Sequence, residues 1–362
     1  MDSRAYFQHY GCYAMTELHL LSMTERGEFF ETAAEELGIP FAIIEKDFWV
    51  VWALERLFSL SDLKDHLTFK GGTSLSKVYG IIERFSEGID LSIEKEFFGY
   101  GKDNDPERAE SKKKQRAALD NLSAACSKYV QEQLILSLGV AISDKLQMPE
   151  GWHLAVDEED PDGQTLQFKY PSATDSNGYI RPSVKIELGA RSEHWPVSKR
   201  KIQSYTKDAL KEKITEPEVW VKVLDAKRTF WEKATILHQY AYLPQEKKLP
   251  ARISRHYYDF YYLLNSDIKA DAIAEQELLD RVAIHKSIYF ASAWASYSTA
   301  RKGSLKLSPP TMILEGLEKD FSLMRDMFFG DVPEWSDILQ VIRDFEGKFN
   351  ENRVSEVDPT DQ

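Results

Sequence analysis

The chain has 362 residues, 43% of them hydrophobic and 29% charged, with a net charge of −13. That length allows two or three domains' worth of core, and that acidity excludes a surface coated for nonspecific nucleic-acid binding while leaving room for a local basic groove. Cys12 and Cys126 give neither a disulfide framework nor a zinc pattern. No apolar run reaches the roughly 18 residues of a membrane span and no signal-peptide core opens the chain, so a cytoplasmic protein without membrane association is expected.

Residues 1–20 read as a leader. Met23 to Leu37 is expected as a helix capped by Thr24, with Phe29, Phe30, Ala33, Ala34 and Leu37 as its apolar side. Gly38-Ile39-Pro40 breaks it, and Phe41 to Phe58 follows as a second helix dense in apolar residues. Its Glu45-Lys46-Asp47 reads as the charged edge of a buried scaffold helix, or as support for a nucleotide pocket through Lys46 or Asp47.

Leu67, Thr68 and Phe69 predict a short buried strand, which Gly71-Gly72 ends in a turn. Thr73 and Ser74 stand where a helix N-cap belongs, and Leu75, Val78, Tyr79 and Ile82 recur at helical spacing. Free backbone N–H groups at such a start make a natural anion site. Ile89, Leu91 and Ile93 then alternate with Asp90 and Ser92, which predicts a strand with Asp90 on one face.

Gly101 to Ser111 reads as a polar loop. Lys112 to Arg116 opens a long helix that Gly139 is expected to end, its basic run being a solvated face or a contact for an RNA backbone. An acidic turn at Asp157 to Gly163 precedes a strand at Thr165 to Tyr170, a turn at Asp175 to Gly178 and a strand at Tyr179 to Leu188 that carries Glu187, with Arg181 and Lys185 on the same face by parity. Trp195 to Lys201 reads as an irregular basic connection. From about Glu218 the composition turns helical through Val219 to Leu224 and Lys227 to His238, then Ser254 to Phe260, Ile284 to Ala300, Thr311 to Phe329 and Trp335 to Phe349. His238 and His256 lack metal-ligand partners at a useful spacing and read as structural.

Lys70-Gly71-Gly72-Thr73-Ser74-Leu75, followed by Arg84-Phe85-Ser86-Glu87-Gly88-Ile89-Asp90-Leu91, resembles the AbiEii/AbiGii toxin family. Those proteins are nucleotidyltransferases of the polymerase-beta-like superfamily that serve in toxin–antitoxin and phage-defence abortive-infection systems. The resemblance extends over about residues 35 to 310, and includes Arg228 to His238 and the Arg-xxx-Asp helix at Arg255 and Asp259.

It implies an α/β (α+β) fold: a nucleotidyltransferase-type mixed sheet with helices over residues 1–215, and a mostly helical C-terminal lobe over 216–362, with the nucleotide in the cleft between. It further implies Mg²⁺ or Mn²⁺ and an NTP substrate, a cognate antitoxin as partner, and transfer of NMP to an acceptor, with tRNA 3′ ends or another RNA favoured. A protein or small-molecule acceptor, or a non-catalytic binding protein of the same fold, stay open.

By the same resemblance Gly71, Gly72, Thr73 and Ser74 hold phosphates, and Asp90 binds metal. Glu187 is a third carboxylate that binds metal or acts as base. Lys233 neutralises phosphate, and Asp259 orients Lys233 or the substrate. The family pattern calls for an acid where Gly88 stands, and Glu87, one residue off, points to the other face of a strand. The chain as written is therefore expected to be catalytically impaired.

Overall fold

The computed structural model describes residues 17–86, 88–148, 150–173 and 181–351. They fall into two compact units: one comprises the described residues up to Gly80 and Arg84–Leu224, the other Ile81–Glu83 and the described residues from Asp225.

The first unit begins with α1 (Met23–Leu37) and α2 (Phe41–Ser59). The cap of α1 is Ser22 rather than Thr24: Glu25 N–H donates to its hydroxyl, and the Glu25 side chain reaches back to complete a capping box. Gly38, at φ 65°, closes the helix in the left-handed conformation. β1 (Leu67–Lys70) runs directly into α3 (Gly71–Lys77), and β2 (Gly88–Ile93) follows. Next come α4 (Lys112–Tyr129), a π-helical segment Val130–Leu134 and α5 (Ile135–Leu146). Gly139 does not end this helix; it lies inside α5. β3 (His153–Val156), β4 (Thr165–Lys169), β5 (Ser183–Glu187), β6 (Val197–Ile202), α6 (Tyr205–Leu210) and β7 (Val219–Leu224) complete the unit.

The strands form a seven-stranded mixed sheet in the order β3-β4-β5-β2-β1-β7-β6. β2 pairs antiparallel with β1 and parallel with β5, and β1 pairs parallel with β7. One face is apolar: Leu67, Phe69, Ile89, Leu91, Ile93, Val184, Ile186, Val221 and Val223 are all buried. α2 covers it. Trp49 stacks on Tyr170 at 5.4 Å between ring centroids and Trp52 on Phe168 at 5.8 Å, and burying such rings contributes about 1.5–3 kcal/mol each.

Two segments differ from expectation. Val197–Ile202 is a strand, not an irregular connection, and Val219–Leu224 is a strand, not the lead into a helix. β6 is an edge strand with Lys199, Arg200 and Lys201 exposed, and lysine-rich edges resist pairing with other chains. The expected turn at Asp175 to Gly178, and Tyr179 and Ile180 of the next strand, lie outside the described residues.

The second unit is helical: α7 (Ala226–Ala241), α8 (Ser254–Leu264), α9 (Ile268–Ala274), α10 (Gln276–Tyr289), α11 (Thr311–Leu323) and α12 (Trp335–Asn350). Phe230 packs against Phe260 and Phe345 at 4.9 and 5.8 Å. The helix expected over Ile284 to Ala300 stops at Tyr289, and the aromatic residues beyond it lie in an irregular stretch with a single 3₁₀ turn at Tyr297–Thr299.

Candidate active site

The polar face of the sheet carries the candidate site residues of the first unit. A parallel register sets Asp90 of β2 beside Glu187 of β5, and Gly88 beside Lys185. Neighbouring strands lie about 4.8 Å apart, so paired residues project side by side from the same face. On its other flank Asp90 faces Lys70 across the antiparallel β1–β2 pair, and beyond Glu187 stands Thr165 of β4. Four strands thus present one transverse row, Lys70, Asp90, Glu187 and Thr165. Asp90 is half-buried and Glu187 exposed.

The Gly-Gly turn is laced to this row. Gly71 has φ +77°, a left-handed backbone, and a Cβ there would overlap the Asp90 carboxylate, with Asp90 Cγ 2.6 Å away. A Cβ on Gly72 would instead overlap the guanidinium of Arg84, a buried side chain that donates to Phe85 O at 3.2 Å. Each glycine therefore leaves room for one charged residue from later in the chain, which explains why Gly71-Gly72 and Arg84 to Asp90 belong to one motif. The hydroxyl of Thr73 donates to Gly88 O at 2.5 Å and that of Ser74 to Gly71 O at 2.8 Å. Neither caps the helix. Lys70, in extended conformation, is the N-cap of α3 and supplies no side-chain capping bond. The turn's remaining donors are the first N–H groups of α3, which have no partner inside the helix.

Gly72→Val is expected to displace Arg84, lower stability by about 1–3 kcal/mol through overpacking, and abolish nucleotide binding. Titration with a fluorescent nucleotide beside a melting curve checks it; unchanged affinity would remove the turn from the site.

Behind the row, His194 bridges β1 and β2: Thr68 Oγ1 lies 2.7 Å from its Nδ1 and Ser92 Oγ 3.2 Å from its Nε2. Ser92 donates its own proton to Gly189 O, so it accepts from Nε2–H, and Nδ1 accepts from Thr68. Burial pulls the His194 pKa down to about 4, so the ring is neutral at neutral pH and serves as a brace. No sequence pattern marks it.

Glu45, Lys46 and Asp47 are all buried, not set at an edge. Glu45 accepts from Ser172 and from Ala173 N–H, and Lys46 lies over the Phe85 ring at 5.1 Å. Asp47 pairs with Lys77 at 2.8 Å and accepts from Tyr205 N–H, which ties the far end of α3 to α2 and α6. Burial raises the Asp47 pKa, against the pull of Lys77. Arg181 lies outside β5 and is exposed, and Glu87 falls outside the described residues.

In the second unit Lys233 of α7 meets Asp259 of α8, Nζ to Oδ2 at 2.7 Å, with both side chains buried. The Lys233 ammonium also donates to His256 Nδ1 at 3.1 Å, which leaves the His256 proton on Nε2. His256 was expected to be merely structural; its place three residues before Asp259, one helical turn away, puts it on the lysine's side of α8. His238 does match a structural reading: its Nδ1 accepts from Lys306 N–H and its Nε2 donates to Ser296 O.

Two carboxylates in cross-strand register beside a Gly-Gly turn form an oxygen donor set that suits Mg²⁺, a metal commonly held by one or two protein carboxylates together with substrate phosphates. Among the described residues no group of three or more His, Cys, Asp or Glu stands together as a complete protein-only metal site. No helix among them is long and apolar enough to cross a membrane.

A mixed sheet with this turn and this carboxylate row is the frame expected of a nucleotidyltransferase. The family described as nucleotidyl transferase AbiEii toxin, type IV toxin–antitoxin system, matches residues 52–350. The chain belongs to that family of nucleotidyltransferase toxins. Among solved structures, MenT4, a nucleotidyltransferase toxin from Mycobacterium tuberculosis H37Rv, is similar at 15% identity with a TM-score of 0.42, over 87% of this chain and 98% of that one. No curated protein matches the chain.

Proposed function

We propose that the chain transfers a nucleotidyl group from an NTP to a hydroxyl at the 3′ end of a tRNA, with release of pyrophosphate. The observation that carries the reading is the register that sets Asp90 beside Glu187 with Gly71 beneath the Asp90 carboxylate. In this reading Asp90 and Glu187 hold a divalent cation, and the N–H groups of the Gly71–Ser74 turn bind phosphate. The cation, when bound, supplies charge neutralisation at the phosphates. In the same reading Glu187, the more exposed acid, accepts the proton of the incoming hydroxyl.

Lys233 and Asp259 are assigned on the family pattern: the ammonium offsets charge on the departing pyrophosphate, and Asp259 with His256 fixes its direction. Gly88 removes one carboxylate from β2, so the chain as written works slowly. A cognate antitoxin acts in trans.

Incubation with labelled NTP, Mg²⁺ and total tRNA is expected to label RNA weakly, and tRNA binding should fall steeply with salt as phosphate contacts release counterions. Label found only on protein would select another acceptor class. Nucleotide binding without any transfer, even in a Gly88→Asp variant, would favour the non-catalytic reading.

A further inference from the structure

β5 carries Lys185 two residues before Glu187, on the same face of the sheet. In the parallel register Lys185 is the direct neighbour of Gly88, and a Cβ on Gly88 would lie 3.3 Å from Lys185 Cβ and 3.5 Å from Glu187 Oε1. The side of the row that an acid at position 88 would fill is therefore lined by Lys185. Its ammonium stands 3.2 Å from Asp157 Oδ2 and 4.0 Å from Glu187 Oε1. The Asp157 side chain is only 2% exposed, and its other oxygen accepts from Glu159 N–H. A buried carboxylate requires a counter-charge. Lys185 supplies it and touches the candidate metal carboxylate at the same time.

We infer that Lys185 is a resident cation of the carboxylate row, which holds divalent-metal affinity down until a nucleotide arrives. The inference rests on the assignment of Asp90 and Glu187 as metal carboxylates. An ammonium about 4 Å from a ligand oxygen repels an incoming divalent ion and shares the charge of Glu187. Nucleotide phosphates bring enough negative charge to offset that repulsion, so metal and nucleotide bind cooperatively, each raising affinity for the other by the same factor.

The test is Mn²⁺ binding followed by the electron paramagnetic resonance of the free ion, with and without a non-hydrolysable NTP analogue. Lys185→Gln removes the charge and keeps a polar side chain; Lys185→Arg keeps the charge. Nucleotide-free Mn²⁺ affinity is expected to rise about tenfold in Lys185→Gln, from the loss of one repelling charge at this range. It should stay unchanged in Lys185→Arg, and the enhancement by nucleotide should shrink in the Gln variant alone. Adding Glu187→Gln should erase the gain. Equal Mn²⁺ affinity in Lys185→Gln and the parent, with binding still dependent on Glu187, overturns the role of Lys185 and leaves the metal assignment standing. Mn²⁺ binding to the parent that is indifferent to Glu187→Gln overturns the metal assignment, and this inference with it.

Discussion

Asp259→Asn is expected to lower stability by about 3–5 kcal/mol, because it removes the buried carboxylate charge that pairs with the Lys233 ammonium. Lys233 and Asp259 are 6% and 0% exposed, so water cannot replace the lost carboxylate charge, and the neutral His256 nitrogen does not balance it. For a protein of this size each kcal/mol moves the midpoint by roughly 2–4 °C, so calorimetry should show a drop of about 10 °C. The paired replacement Lys233→Met with Asp259→Leu removes both charges and should recover most of that loss. It should recover no transfer activity if Lys233 meets phosphate. A single Asn variant that melts with the parent would mean that the ion pair contributes nothing to the fold; a double variant that is both stable and active would restrict the pair to a structural role.

Gly88→Asp is expected to raise turnover by about a hundredfold or more, since a misplacement of about 1 Å at a reacting centre already costs roughly that much and a missing metal ligand costs more. The structure attaches a stability cost to the gain. An ideal Cβ at position 88 would stand 2.8 Å from the Lys185 carbonyl oxygen, so β2 or β5 must shift, at about 1–3 kcal/mol. A glycine in a strand interior otherwise weakens the strand; here it also relieves a close cross-strand approach. Pyrophosphate release, thermal melting and growth of a host without antitoxin, measured for both chains, test the trade. Equal turnover would mean that Asp90 with Glu187 already suffices.

The sequence made the centre of the first unit legible. The alternation of Ile89, Leu91 and Ile93 around Asp90, and of Val184 and Ile186 before Glu187, identifies both strands and the face of each acid. Their side-by-side register was not legible, because a parallel pair joins segments far apart in the chain and periodicity says nothing about which strands meet. β6 escaped because Ser198-Lys199-Arg200-Lys201 has no apolar alternation, as befits an edge strand exposed to water. In β7, alternating Val219, Val221 and Val223 was the available signal, masked by the helical run after it. The aromatic residues of Ile284 to Ala300 recur at helical spacing, yet the chain turns away after Tyr289, so tertiary packing overrides the pattern there. Lys233 and Asp259 were found through resemblance to the family. Lys185, His194 and His256 take their meaning only from neighbours that the fold brings to them.

The strand order also sets a schedule for synthesis. β1 and β2 leave the ribosome early and pair across the segment that holds α3, but one neighbour of this pair, β5, follows the long helix α4–α5 and the β3–β4 hairpin, and the other, β7, comes last in the unit. Contacts across such separations form slowly, after loop-closure entropy has been met. Until β5 emerges Asp90 has no acidic partner, and until β7 emerges one edge of β1 is open. A chain truncated before β5 would contain the whole glycine motif and Asp90, but not Glu187, the residue that the register sets beside it.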